Sequence, residues 1–307
     1  VRSRAIINAC GPWTDTFNQS RDIETRHHIV FSKGIHLVVP RVTTSERVLT
    51  FFAHDSRPFF VFPMGDRSCV GTTDTRVARP ETVVNDDDRE MVLTNINRYI
   101  GSSLTSADII SERCGVRPLV VHEAPRRGTD WTQLSRKHVL ETDKERRFLT
   151  IFGGKLTDCL NVGEEVVEAF EKFGISGHEP AAPWFGEPPA EERDEFFAAA
   201  AGIDPQIDAE RLWRRYGAQA WHVLDRLGKM PTERRELFPG TGLLEAEVHH
   251  AARSEMVLHL SDFVRRRTLL EMERGPSYLR KSTKLGTVAQ ILFPEQAYNA
   301  LQAYVDG

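Results

Sequence analysis

The sequence predicts an α+β protein in which a mixed, largely antiparallel sheet with helices is followed by an all-helical C-terminal domain. Three observations carry this expectation. Residues 29–75 alternate in the manner of strands, with Ile35, Leu37 and Val39 interleaved with Gly34, His36 and Val38. The stretch His178-Glu179-Pro180-Ala181-Ala182-Pro183-Trp184-Phe185-Gly186-Glu187-Pro188-Pro189 is rich in proline and glycine and marks a linker. Beyond it everything reads as helix, most clearly over 245–270, where Val248, Ala252, Met256, Leu260 and Val264 recur at i+4 steps. A chain of 307 residues is long enough for two domains.

Taken in order, residues 4–11 read as a strand ending in the tight turn Asn8-Ala9-Cys10-Gly11-Pro12-Trp13, and Thr14-Asp15 begins a short helix. Pro40 closes the alternating run because it has no N–H to give a ladder. Residues 59–62 and 68–72 are two short strands joined by Pro63-Met64-Gly65-Asp66-Arg67 as a hairpin. Residues 85–99 form a helix with Asn85 as N-cap and Met91, Val92, Ile96 and Tyr99 at helical spacing. Its opening run Asp86-Asp87-Asp88 reads as a solvated cluster that complements the helix dipole, in preference to a metal site. Strands follow at 109–119, 137–142 and 148–151. Leu160, Val166, Val167, Phe170 and Phe173 then mark a helix that Gly174 caps. Arg265-Arg266-Arg267 suits the C-terminal end of the 245–270 helix better than it suits nucleic acid.

Composition removes several classes of function. With 40 basic and 44 acidic residues the net charge is -4, which gives no bulk attraction to nucleic acid. Cys10, Cys69, Cys114 and Cys159 are widely spaced without a CxxC pair, which argues against a zinc site or a disulfide framework and fits a reducing compartment. The pairs His27-His28 and His249-His250 place neighbours on different faces, so no metal is expected. No apolar run approaches the roughly 20 residues that span a bilayer. The opening Val1-Arg2-Ser3-Arg4-Ala5-Ile6-Ile7 is a charged turn before a strand, unlike a signal peptide, and leads to the expectation that the chain is a fragment.

The residues with most chemical content lie at turns. In Phe152-Gly153-Gly154-Lys155-Leu156-Thr157-Asp158 a strand turns on two glycines into a helix start and carries a cation, an arrangement suited to an anionic or electron-rich ligand. Arg117, in Cys114-Gly115-Val116-Arg117-Pro118-Leu119, offers a forked guanidinium on a restricted backbone; it either binds phosphate or carboxylate or pairs with an internal acid. Arg136 precedes a strand, and with Arg117 and Lys155 in one cleft it would complete a site for a dianion. His36 faces away from Ile35 and Leu37, as a hydrogen-bonded core histidine or as a general base. Gly71-Thr72-Thr73-Asp74-Thr75 reads as a turn capped by Asp74. No GxGxxG, Walker loop, GxSxG or HExxH occurs.

Five of these stretches, in order, resemble the FAD-dependent glycerol-3-phosphate dehydrogenases of the D-amino-acid-oxidase-like flavoprotein superfamily. They are Asn8-Ala9-Cys10-Gly11-Pro12-Trp13; Lys33-Gly34-Ile35-His36-Leu37-Val38-Val39-Pro40; Phe60-Val61-Phe62-Pro63 with Gly71-Thr72-Thr73-Asp74; Gly115-Val116-Arg117-Pro118-Leu119; and Phe152-Gly153-Gly154-Lys155-Leu156-Thr157. The helical end of the chain resembles that family's C-terminal domain. The resemblance implies oxidation of sn-glycerol 3-phosphate to dihydroxyacetone phosphate on FAD, with quinone as electron acceptor. It implies Lys155, Arg117 and His36 as catalytic residues, and Arg117, Arg136 and Lys155 as substrate ligands. Gly11, Pro12, Trp13, Gly153, Gly154, Lys155, Leu156 and Thr157 would line the cofactor.

It further implies that residues 1–16 and 150–175 are remnants of a split FAD-binding domain, 17–149 the substrate domain, 176–189 a linker and 190–307 the helical domain. The family's first segment, with its glycine-rich dinucleotide turn, has no counterpart in these residues, so the fragment alone is expected to be inactive. A cytoplasmic enzyme peripheral to the inner membrane, with strand edges open to homodimer formation, is the corresponding picture. An oxidase passing electrons to oxygen, and a non-catalytic binding protein, are the alternatives.

Overall fold

The N-terminal part of the chain forms, in order, β1 (Ile6–Asn8), α1 (Thr14–Gln19), β2 (His28–Pro40), β3 (Leu49–Phe52), β4 (Pro58–Met64), β5 (Arg67–Gly71), β6 (Thr75–Val77), α2 (Asp86–Ile100), β7 (Ser111–Val121), β8 (Val139–Asp143), β9 (Phe148–Phe152) and α3 (Cys159–Glu171). A computed structural model describes residues 2–53, 57–122, 137–176, 188–189 and 191–307. Arg136 and most of the 176–189 linker lie outside the described residues.

The strands divide between two sheets. The larger is antiparallel and centred on β2, whose one edge pairs with β7 along 28–38 while β5 and β6 share the other at 36–40 and 31–33; β4 and β3 continue outward from β5. The smaller has the order β1-β9-β8, with β1 parallel to β9 and β8 antiparallel to it.

The alternation in β2 has the consequence expected of a period of two. Ile35, Leu37 and Val39 are fully buried and pack with Phe59, Val61 and Val70 against Val92, Leu93 and Ile96 of α2. The opposite face of the same strand carries Ser32, Gly34 and His36, in register with Arg117, Gly115 and Arg113 of β7. One face of the ladder packs on α2; on the other, Ser32 and Val38 are covered and His36 is only partly buried.

Helix α2 starts as expected, with the Asn85 side chain accepting from the Asp88 N–H at 2.9 Å and the Asp88 carboxylate accepting from the Asn85 N–H at 3.0 Å. The acidic run is not simply solvated. Asp88 is only 3 % exposed, and its carboxylate holds the buried ammonium of Lys33 on β2. A buried charge left without its partner costs about 3–5 kcal/mol, so Lys33 and Asp88 lock helix to sheet as a pair.

The helical region comprises α4 (Glu192–Ile203), α5 (Ala209–Tyr216), α6 (Ala220–Lys229), α7 (Glu245–Ser254), α8 (Leu260–Asp262), α9 (Leu270–Arg274), α10 (Pro276–Lys281), α11 (Thr283–Leu292) and α12 (Ala297–Asp306). The single helix expected over 245–270 is broken. Met256 takes a left-handed φ of 51° and is 80 % exposed, and a π turn at Phe263–Arg267 follows α8, which together re-aim the chain. Val248, Leu260 and Val264 still reach one core, with Phe238, Leu279 and Leu285. Around Phe196, Leu212 and Leu224 a second core forms. Glu247 is 1 % exposed; its carboxylate accepts from Arg211 at 3.0 and 2.7 Å, from the Tyr216 hydroxyl at 2.9 Å and from the Leu244 N–H at 2.8 Å. That satisfaction is what a buried carboxylate requires.

The helical region docks on the start of β7. The Ser111 hydroxyl donates to the Met272 carbonyl at 2.6 Å, and Gly275 passes so close to Ile110 that a Cβ there would lie 2.5 Å from the Ile110 oxygen.

Candidate active site

Parallel pairing of β1 with β9 brings two distant motifs to one end of the small sheet. Asn8 pairs with Thr150, so the turn that follows β1, Gly11–Trp13, and the turn that follows β9, at 153–155, both leave from the strands' carboxyl ends. Crevices outside the carboxyl ends of parallel strands are where α/β folds receive ligands. The Thr14 hydroxyl donates to the Ile151 carbonyl at 3.5 Å, and the Asn8 amide holds the Thr14 carbonyl at 3.0 Å and the Asn18 side chain at 2.8 Å. The Gly11–Trp13 turn also packs against β7, and Trp13 donates its indole N–H to Glu81 at 3.1 Å.

The two glycines after β9 are demanded from behind. Gly153 and Gly154 hold φ of 63° and 97°; a Cβ on Gly153 would lie 2.5 Å from Val120 Cγ2, and one on Gly154 would lie 3.2 Å from the Cβ of His138. Close packing of the turn on β7 and on His138 therefore explains them. The other side of the turn is open: Lys155, Leu156 and Thr157 are exposed, Leu156 to 90 %. Bare backbone and one cation are thus presented at the same end of the sheet as the Gly11–Trp13 turn.

His138, overlooked in the sequence, anchors this turn. Its Nδ1 lies 2.8 Å from Asp158 Oδ2 and its Nε2 3.1 Å from Glu165 Oε1. Burial opposes its charge, but the bonds to Glu165 and Asp158 outweigh burial and raise its pKa. The His138 ring clamps the 3-10 turn at Leu156–Asp158 to α3 through Asp158 and Glu165.

The His36 face of the large sheet bounds a cleft of 530 Å³ lined by Gly34, His36, Arg113 and Arg117, and by Leu269 and Met272 of the helical region. Arg117 lies flat on Gly34: a Cβ there would meet its guanidinium at 2.5 Å. The guanidinium donates to the Thr73 carbonyl at 3.2 Å and the Thr72 hydroxyl at 2.9 Å, both in the turn after β5. His36 is held neutral, its pKa pushed down to about 4 by burial first and then by Arg113 and Arg117. A neutral imidazole in a cleft has an acceptor nitrogen to give. Asp74 does not simply cap its own turn; it accepts from the Ser32 hydroxyl of β2 and pairs with Arg57.

The structure thus brings His36 and Arg117 into one cleft and sets the 153–155 turn against the same β7, whose Pro118 carbonyl lies near Gly153. Lys155 does not line that cleft; it stands at the neighbouring turn. Arg113 escaped the sequence reading because nothing in Glu112-Arg113-Cys114 distinguishes it. Its place comes from register with His36. Among the described residues no group of three or more His, Cys, Asp or Glu side chains is placed to hold a metal ion, and no helix is long and apolar enough to cross a membrane.

Comparison with known proteins places the chain in a family. Residues 1–160 match the family described as FAD dependent oxidoreductase, and residues 186–295 match the C-terminal domain of alpha-glycerophosphate oxidase. A glycerol-3-phosphate dehydrogenase of Mycobacterium leprae is 28 % identical over 98 % of this chain and 51 % of its own length. The aerobic glycerol-3-phosphate dehydrogenase of Bacillus subtilis is 30 % identical over 87 % of this chain and 51 % of its own. The structure of the glycerol-3-phosphate dehydrogenase from Bacillus halodurans complexed with FAD superposes with a TM-score of 0.77 at 23 % identity, over the whole chain and 61 % of that protein, and so shows a shared fold. The chain spans about half the length of the curated relatives it matches. On the match that covers more than half of its residues, the chain belongs to the FAD-dependent oxidoreductase family.

Proposed function

We propose that the chain is the substrate-oxidising part of an FAD-dependent glycerol-3-phosphate dehydrogenase, which converts sn-glycerol 3-phosphate to dihydroxyacetone phosphate and passes electrons to quinone. The observation that carries this reading is one cleft face with a neutral His36 beside the guanidinium of Arg117. Arg117 binds the phosphate, and Arg136 adds a second cation from outside the described residues. His36 takes the proton from the C2 hydroxyl, which its depressed pKa permits across the neutral range. FAD, when bound, would supply the acceptor for the hydride of C2. Gly11, Pro12 and Trp13, with Gly153, Gly154, Leu156 and Thr157, would hold it at the carboxyl ends of β1 and β9, where Lys155 would supply a cation.

The names of the similar proteins favour a dehydrogenase, while the match of residues 186–295 to an oxidase domain favours oxygen as the alternative acceptor. Residues 1–307 contain no glycine-rich dinucleotide turn and are proposed to bind FAD poorly by themselves. The test is turnover of sn-glycerol 3-phosphate by the flavin-loaded full-length protein with a quinone analogue, beside its Arg117→Ala variant. Turnover that collapses in the variant is expected. Stoichiometric hydrogen peroxide in air would move the assignment to an oxidase, and no turnover by the wild type would leave a binding protein.

A further inference from the structure

We propose that Arg113 is a further substrate-binding residue, whose guanidinium joins that of Arg117 on one phosphate group held over the bare backbone of Gly115. This rests on the reading of the cleft as a glycerol-3-phosphate site.

Four observations meet here. First, Arg113 and Arg117 share a face of β7, four residues apart, and Arg117 does not point straight out. It lies on Gly34, the register partner of Gly115, and so leans along the strand toward the rung where Arg113 faces His36. Two residues of strand span about 7 Å, so the Arg117 head stands roughly that far from the Arg113 rung, a gap that a tetrahedral phosphate bridges with one oxygen pair on each side.

Second, the floor between them is empty. The Arg117 guanidinium covers Gly34, but a Cβ on Gly115 would meet nothing within 4 Å, so an anion reaches the sheet itself there. Third, Arg113 makes no salt bridge or hydrogen bond among the described residues. Its neighbour Glu112 points to the other face and is taken by Arg89 at 2.5 Å. Glu271 lines the neighbouring cleft with Arg113 but pairs with Arg265, so Arg113 is a cation left for a ligand. Fourth, Leu269 and Met272 of the helical region line the same cleft and give it an apolar wall beside the two arginines. Burial, Arg113 and Arg117 all depress the His36 pKa, which places both guanidinium groups within electrostatic reach of the same imidazole.

The arrangement also orients the substrate. With phosphate held at the Gly34–Gly115 rung between the two arginines, the C2 hydroxyl lies on the side of His36, one rung along β2.

Arg113→Ala and Arg113→Lys in the flavin-loaded full-length protein test this. KM for sn-glycerol 3-phosphate is expected to rise about ten- to a hundredfold in Arg113→Ala, with kcat held within about threefold and part of the loss recovered by Arg113→Lys. Calorimetric binding of inorganic phosphate should weaken in parallel. Arg113 is exposed and unpaired, so the melting temperature and flavin spectrum should match the wild type. Unchanged KM and unchanged phosphate binding in an enzyme that turns over would overturn the assignment. A wild type that does not oxidise sn-glycerol 3-phosphate, yet binds phosphate in an Arg113-dependent way, would overturn the proposed reaction while upholding the anion site.

Discussion

His36 shows how a residue acquires its chemistry from where its strand puts it. On β2 it points away from the core, toward two guanidinium groups and the ring of Phe62, 6.2 Å between centroids. Charge on the imidazole is opposed by burial and by both arginines. The protonated unfolded chain binds its proton near the ordinary 6.5 and the folded chain only near about 4. Stability therefore falls as the pH drops from 6.5 toward 4 and is independent of His36 above that range. In the full-length enzyme the acid limb of kcat/KM should lie well below 6.5 and should move up toward it in Arg113→Ala. An acid limb that stays fixed when Arg113 is removed would mean that His36 is not the titrating group.

At the scale of elements, the turn after β9 is the test case. Gly153→Ala requires a left-handed residue with a Cβ 2.5 Å from Val120, and Gly153 sits between β9 and β7 with no flexible neighbour to give way. Left-handed strain and overpacking together should cost about 2–4 kcal/mol in denaturant unfolding. Gly115→Ala meets nothing and should stay within about 0.5 kcal/mol. Equal stabilities for the two variants would show that the turn does not need its glycine. Much of this was legible beforehand. Period-two alternation in β2, the hairpin of β4 and β5, the Asn85 cap and the strand-glycine-helix turn are local patterns, and local patterns survive in a sequence. What was not legible depends on partners far away along the chain. Asp88 looked solvated because Lys33 is 55 residues earlier, and Arg113 looked ordinary because its partner is His36. The i+4 apolar steps of 245–270 continued through a break that only the left-handed Met256 reveals.

In the whole molecule, sheet and helical region meet where Gly275 passes Ile110 and Ser111 holds Met272. Gly275 has a φ of 78°, and its Cβ would strike a backbone oxygen that cannot rotate aside. Gly275→Ala should push α9 off β7 and carry Leu269 and Met272 away from the cleft. The expected signature is a raised KM for sn-glycerol 3-phosphate, together with a lowered melting temperature because α9 also contributes Leu270 to a helical core. An unchanged KM in this variant would show that this wall of the cleft contributes nothing to substrate binding.

The two faces of β2 bind the fate of the core to that of the site. Side chains alternate strictly along a strand, so a slip of one residue against β7 would bring Ile35 and Leu37 out and send His36 inward, all in one move. The error cannot be partial. A molecule that pairs β2 wrongly forfeits its packing against α2 as well as its arginine–histidine cleft, and is removed by its own instability. Folding in this protein thereby proofreads the cleft: molecules stable enough to persist are those in which His36, Arg113 and Arg117 already share a face.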